Sequence, residues 1–527
     1  MKGIRTKPRK HERHETLKRI HFVFFVCFVL SWLSFTPLVA AVDAPLANAV
    51  QHMDRDAVRH LLERRIDVNA PQADGTTALH WAAYNDDLDL VNRLLAAGAN
   101  ARASNRYGVT PLTLACTNGN AAVVSRLLDA GANANGTLPG AETPLMTAAR
   151  TGKAAVVRAL IVHGADVNAR EGRGRQSALM WAAAEGNVEV LETLIEAEAD
   201  FRTPLDSGFT PLLFAVREGR IGAVKTLLKA GADVNEVVKV RARPKLPEEG
   251  ARPLAAGTTP LLIATTNAHF ELAAQLLAAG ADPNTDLLGY TALHAIVRVR
   301  KPGVGDNDPA PEGSGTMTSL EFVKQLVQHG ANVNARMTKR ANLTNTRFSE
   351  IGATPYLLAA VTADAELMKT LADLGADPSL TNNEGSTALM AAAGLGTRSP
   401  GEDAGTEDEV IEAMELALAL GADVNAVDKH GETAMHGAAY KNLPGAVKLL
   451  AAKGARIDIW NRKNEFGWTP LTIARGYRFG NFKPSPVTVE AIDTVMLAAG
   501  IRPPTEQEEN AKGFDIYAPV PLRTPPR

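Results

Sequence analysis

The sequence predicts an all-α repeat solenoid of about twelve helical pairs. Three observations carry that prediction. A Thr/Ser-x-Leu phrase recurs at Thr77, Thr110, Thr143, Ser177, Thr210, Thr259, Thr291, Thr354, Thr387, Thr433 and Thr469, with Tyr or Met in third place at Thr354 and Thr433, and its basal spacing is 33 residues. A second phrase of the Gly-Ala-Asp-x-Asn kind begins at Gly98, Gly131, Gly164, Gly231, Gly280, Gly330, Gly375, Gly421 and Gly454. The composition is 45% apolar but only 5% aromatic, so Ala and Leu fill the core and helices are favoured over sheets. A fixed period of this length marks a repeat architecture, in which no unit can bury its own apolar face without a neighbour.

Each element of one unit has a local cause, seen in "GTTALHWAAYNDDLDLVNRLLAAGANARAS" (75–104). The Thr hydroxyl caps the free amides of a first helix. Where Pro follows, as in "TPLTLAC" (110–116), it occupies the first turn, where its missing N–H costs nothing. The Ala-Ala pair lets two helices approach closely. Leu90, Val91, Leu94 and Leu95 form the buried stripe of a second helix. Gly98 ends that helix in a left-handed turn, and the Asn-rich stretch beyond it forms a hairpin to the next unit.

The phrases "TALHWAA" (77–83), "TPLMTAA" (143–149), "SALMWAA" (177–183), "TPLLFAV" (210–216), "TPLLIAT" (259–265), "TALHAIV" (291–297) and "TPLTIAR" (469–475) resemble the ankyrin T-P-L-H-x-A motif over about residues 44–502. The resemblance implies stacked helix pairs, β-hairpin fingers along one edge and a concave face. It also implies a non-enzymatic protein that binds another protein through fingers and first helices. Residues 44–74 lack the Thr-x-Leu phrase and read as an N-terminal cap; residues 466–502 read as the C-terminal cap. Glu198 stands where a unit-ending Gly is expected. The tail, 503–527, is rich in Pro and polar residues.

Residues 1–19 carry eight Lys/Arg and two Glu, followed by the apolar run "IHFVFFVCFVLSWLSF" and small residues up to Ala41. This is the order of a secretory signal cleaved after Ala41; an uncleaved anchor over residues 20–42 is the alternative. Either places the rest of the chain outside the cytoplasm, periplasmic or secreted, in a cell expected to be bacterial. Without the leader, 48 basic side chains face 56 acidic ones, a net charge of −8, which argues against a nucleic-acid partner. The cysteines are Cys27, in the leader, and Cys116, so stability is expected from packing without an internal disulfide.

No phosphate loop, H-E-x-x-H, C-x-x-C or G-x-S-x-G motif occurs, so no enzyme activity, cofactor or metal is expected. His80, His294 and His436 hold the motif's His position, one per unit, and read as structural rather than as ligands. Trp81 and Trp181 read as core residues of first helices, with a contact surface as the alternative, and Cys116 as a small buried apolar residue. Four insertions break the period. Residues 236–256 and 336–352 lengthen fingers; 298–318 and 395–408 fall between first and second helices, expected at the opposite end. The first finger carries Lys239, Arg241, Arg243, Lys245 and Arg252 against Glu248 and Glu249, the second Arg336, Lys339, Arg340 and Arg347 against Glu350. Two basic fingers on an acidic molecule suggest a grip on an acidic partner surface. The expected function is a monomeric scaffold holding a partner in the concave groove around units six to nine. The alternatives are a binder of envelope polyanion or polysaccharide through the basic fingers, and an enzyme with its site in the insertions.

Overall fold

A computed structural model describes residues 44–239, 254–302, 310–478 and 484–510. Among the described residues there are 26 helices and no strands. They fall into two compact units, one of residues up to 147 with 162–165, the other of 148–161 with all from 166 onward.

The first unit opens with α1 (Pro45–Gln51) and α2 (Arg55–Glu63). The next repeats contribute α3 (Ala78–Tyr84), α4 (Leu88–Ala96), α5 (Pro111–Asn118) and α6 (Ala121–Asp129). Thr77 N–H donates to Nδ1 of His80 at 3.1 Å, so that nitrogen is an acceptor and the ring's proton lies on Nε2, 3.1 Å from the Val109 carbonyl of the next repeat. Burial pushes the His80 pKa down, which keeps the ring neutral. Thr110 accepts from the Thr113 amide at 3.2 Å. Val91, Leu94, Val123, Val124 and Leu127 are buried. Cys116 is buried as expected, and burial alone pushes its thiol up to about 12.

The second unit repeats the plan with α7 (Pro144–Thr151), which straddles the division, α8 (Ala154–Val162), α9 (Ala178–Glu185), α10 (Val188–Glu196), α11 (Pro211–Arg217), α12 (Ile221–Lys229), α13 (Pro260–Thr266) and α14 (Phe270–Ala278). It continues through α15 (Ala292–Arg300), α16 (Ser319–Gln328), α17 (Pro355–Val361), α18 (Ala365–Asp373), α19 (Ala388–Ala392), α20 (Glu407–Ala419), α21 (Ala434–Lys441) and α22 (Pro444–Ala452). It ends in α23 (Ile457–Trp460), α24 (Pro470–Ala474), α25 (Pro486–Ala498) and α26 (Glu506–Asn510). The start of the tail is tied down, since Arg475 donates to the Pro504 carbonyl at 2.8 Å.

The fingers depart from the expected β-hairpins. The unextended fingers are tight turns, as where Gln72 N–H donates to the Thr76 carbonyl and Asn105 N–H to that of Val109, and no strand forms among the described residues. Fingers are instead joined sideways by asparagine. Asn284 donates to the Gly330 carbonyl at 2.8 Å and accepts from the Asn332 amide at 2.7 Å. Asn235 and Asn334 make the same two bonds to the next repeat. One side chain thereby satisfies a helix-end carbonyl and a turn amide that have no partner within their own repeat. Glu198 has φ of 61°, so a side chain other than Gly is held in the left-handed region that the Gly positions otherwise supply.

Candidate interaction surfaces

First helices fall into two kinds. α9 buries Ala178, Leu179, Met180, Ala182 and Ala183 and turns Trp181 outward, partly buried, with the Arg150 guanidinium 4.8 Å from its ring centre. In the other unit α3 likewise turns out Trp81, which bonds to Gln72 and meets the ring of Tyr84 edge-on at 5.7 Å. Both tryptophans are half-buried rather than full core residues, and Trp181 Nε1 is buried without a hydrogen-bond partner. The position is partly exposed on these two helices.

Other first helices have no such exposed position: α7 buries Leu145 through Ala149, Thr147 at the outward position included. α11 buries Pro211 through Val216, α13 Pro260 through Thr265, α17 and α19 every residue, and α21 all of Ala434 through Lys441. The outward positions carry Phe214, Ile263, Leu358 and Ala391, all buried. A helix that is apolar all round is a covered helix. In units six to nine the first helices therefore offer few exposed side chains of their own.

The cover over α19 is the second basic insertion. Asn382 and Asn383, before α19, bond to the carbonyls of Ser349 and Ile351. Arg347 N–H, at the other end, donates to the Gly396 carbonyl beyond α19 at 2.7 Å. The segment 347–351 therefore runs the length of the helix as a strap and is not a projecting finger. It meets the 395–408 insertion expected at the far end of the stack. Glu350, 2% exposed, organises the strap by accepting from the amides of Ala341, Asn342 and Thr344 at 2.7, 2.7 and 3.2 Å. Leu343 and Phe348 bury its apolar side. A Cβ on Gly396 would collide with the Phe348 backbone, so glycine is required for the contact.

The basic residues are distributed accordingly. Lys239 is exposed at the edge of the first finger, while Arg241, Arg243 and Lys245 lie outside the described residues. Arg336, Lys339 and Arg340 are exposed on the strap. Arg336 donates to the carbonyls of Gly352 and Thr381, Lys339 to that of Leu287, and Arg340 to the Asn342 side chain and the Thr346 carbonyl.

Other charged groups were not legible in the sequence. Lys301 pairs with Glu409, joining the first helix-side insertion to the first turn of α20. Lys441, 5% exposed, donates to the Ala404 carbonyl, and burial lowers its pKa to about 8 against the opposing pull of Asp403 and Glu409. Its position at the end of α21 reads as an ordinary solvated cation. His430 sits between Glu384 and Glu465 at 3.1 and 2.8 Å, tying three fingers together. Among the described residues no group of His, Cys, Asp and Glu has the arrangement of a metal site, and no helix is long and apolar enough to cross a membrane.

Comparison with known proteins agrees with this geometry. The family model of three ankyrin repeats matches residues 46–137, 79–171, 124–204, 145–237 and 405–481, and that of the single repeat matches 256–286. Together these cover more than half of the chain. The chain belongs to the ankyrin-repeat family. It is 30% identical over 225 residues to the nuclear factor NF-kappa-B p105 subunit of Gallus gallus, an alignment of 38% of this chain and 21% of that protein. It is 38% identical over 187 residues to neurogenic locus notch homolog protein 2 of Homo sapiens, 34% of this chain and 6% of that protein. This ankyrin-repeat chain thus spans about a fifth or less of the relatives it matches. The matched stretches stop at 286 and resume at 405, and the strap lies between.

Proposed function

We propose that this protein is a non-enzymatic scaffold, exported from the cytoplasm by its N-terminal segment, that binds a partner protein through its first-helix face and finger edge. The half-buried Trp181 with the Arg150 guanidinium 4.8 Å from its ring centre carries the reading. Trp and Arg are the residue types that dominate binding energy at protein interfaces, and a packed stack presents them with little ordering cost on its own side. The absence of a catalytic motif in the sequence and the family's general use in protein binding support it. Export rests on the order of basic, apolar and small residues in 1–41.

The test is affinity capture by tagged residues 42–527 from the cell envelope fraction, beside Trp181→Ala and Arg150→Ala variants. A protein enriched by the native chain and lost from the variants is the expected result. Equal enrichment by all three, or none at low salt, would remove the first-helix face as the docking surface.

A further inference from the structure

We propose that His430 is a pH-sensitive latch: as an imidazolium it holds the fingers on either side of its own through Glu384 and Glu465, and it releases one of them when it gives up its proton. The latch goes beyond the scaffold reading and does not depend on it. Fingers are one of the two surfaces that the scaffold reading uses, so the latch puts docking there under the control of pH.

Three consecutive fingers meet at this ring, the turns 382–386, 428–432 and 464–468. Each is closed by a bond from the amide of its first residue to the carbonyl of its last. His430 stands directly before Gly431 at the tip of the middle finger, as Glu384 stands before Gly385 on the preceding one. Its Nε2 is 3.1 Å from a Glu384 oxygen and its Nδ1 is 2.8 Å from a Glu465 oxygen. A neutral imidazole has one N–H, and its other nitrogen carries a lone pair. Only the cation therefore donates to both carboxylates at once. Removal of the proton leaves one carboxylate facing a lone pair, and the finger that carries it loses its tie to the ring. Two backbone bonds run between the same fingers, from Lys429 N–H to the Glu384 carbonyl at 2.9 Å and from Glu465 N–H to the His430 carbonyl at 2.8 Å. Their amides report on the latch.

The charge around the ring is acidic. Glu384 comes from the preceding finger, Asp428 and Glu432 from its own, and Glu465 from the next. Among the cations of these fingers, Lys429 donates to the Asn383 carbonyl and Arg462 to that of Asp458, while Lys463 is exposed. Burial opposes a charge on His430, but Glu465, Asp428 and Glu384 overcome it and raise its pKa. The sign follows from linkage. Above pH 6.5 the folded chain keeps a proton that the unfolded chain gives up. The stability is thus fully present below 6.5 and is lost as pH rises through the raised folded value. Two buried acids beside the ring act in the same sense. Burial raises Asp428, and raises Glu432 to about 7, so each costs stability as pH rises through its shifted range. All three groups weaken the joined fingers on the alkaline side.

The test is hydrogen exchange of residues 42–527 followed by mass spectrometry, native chain beside His430→Gln, at pH 5.5 and at pH 8.5. Comparison of the two chains at one pH cancels the intrinsic pH dependence of amide exchange. At pH 5.5 peptides covering 382–386, 428–432 and 464–468 are expected to exchange roughly tenfold slower in the native chain than in the variant. At pH 8.5 the two are expected to agree within about twofold, and peptides of the second helices to agree at both. A proton NMR titration of the histidine rings is the second measurement. The His430 resonance is identified by its loss in His430→Gln or, should that variant not fold, by its shift in Glu465→Gln. Its midpoint is expected above 6.5 in the native chain and lower in Glu465→Gln. Equal exchange of the two chains at pH 5.5, the same gap at both pH values, or a native midpoint at or below 6.5 would overturn the proposal.

Discussion

His294 gives the sharpest test of how the stack is held. It is fully buried. Its Nδ1 accepts from the Thr291 amide at 3.2 Å, and its Nε2 lies 3.1 Å from the Ala335 carbonyl and 3.3 Å from that of Ala353. One ring therefore caps its own helix and ties its repeat to the next finger. It does so only as the neutral tautomer protonated on Nε2. Burial pushes its pKa from 6.5 to about 4. The sign follows from linkage. Above pH 6.5 both folded and unfolded states are neutral, and the full contribution is present. Between 6.5 and about 4 the unfolded chain binds a proton that the folded chain refuses, so stability falls as pH falls, by about 1.4 kcal/mol per pH unit. Glu236 and Glu432, raised by burial to about 7, act in the opposite sense between 7 and 4.5. The wild-type curve therefore mixes signs. The difference between wild type and His294→Gln isolates the histidine. At pH 7.5 the variant is less stable by about 1–3 kcal/mol from lost hydrogen bonds. On moving to pH 4.5 the gap closes by about 2.7 kcal/mol, or reverses. Urea unfolding followed by circular dichroism at several pH values measures it. Parallel curves across pH 4.5–7.5 would refute the neutral, buried ring.

Three further outcomes are expected. Glu198→Gly raises stability by about 1 kcal/mol, because it relieves a side chain held at positive φ on an exposed turn; a lower urea midpoint would show that the side chain earns its place by a contact. Gly396→Ala frees the strap without unfolding the stack, so limited proteolysis gains a cut within 340–349 while the helical circular dichroism signal is kept. Cys116 resists alkylation at pH 8 in the native protein and reacts after denaturation, since it is buried with its thiol raised to about 12; labelling followed by intact mass checks it.

Much of the repeat plan was legible because its causes are local. Thr caps, Pro in the first turn, Gly at helix ends and the histidine at the third helical position each act within a few residues. The all-buried first helices had a sequence signal too, in apolar Phe214, Ile263 and Leu358 at the position that carries Trp81 and Trp181 elsewhere. That signal is weak, since tryptophan at the same place also reads as core. The strap had none. Glu350 reads as one acid in a basic loop, and nothing near it in sequence shows that it turns inward onto three amides.

The sequence by itself determined the unit, its period and its number, because a repeat protein is built from contacts between neighbours about one period apart. Only the tertiary structure decided where the insertions go. Lys301 and Glu409 meet across 108 residues, and the strap reaches Gly396 because the missing Cβ lets the Phe348 backbone come close. Such contacts follow from shape and from the satisfaction of buried polar groups rather than from periodicity. They turn one expected basic finger into a strap that joins the segments on either side of α19.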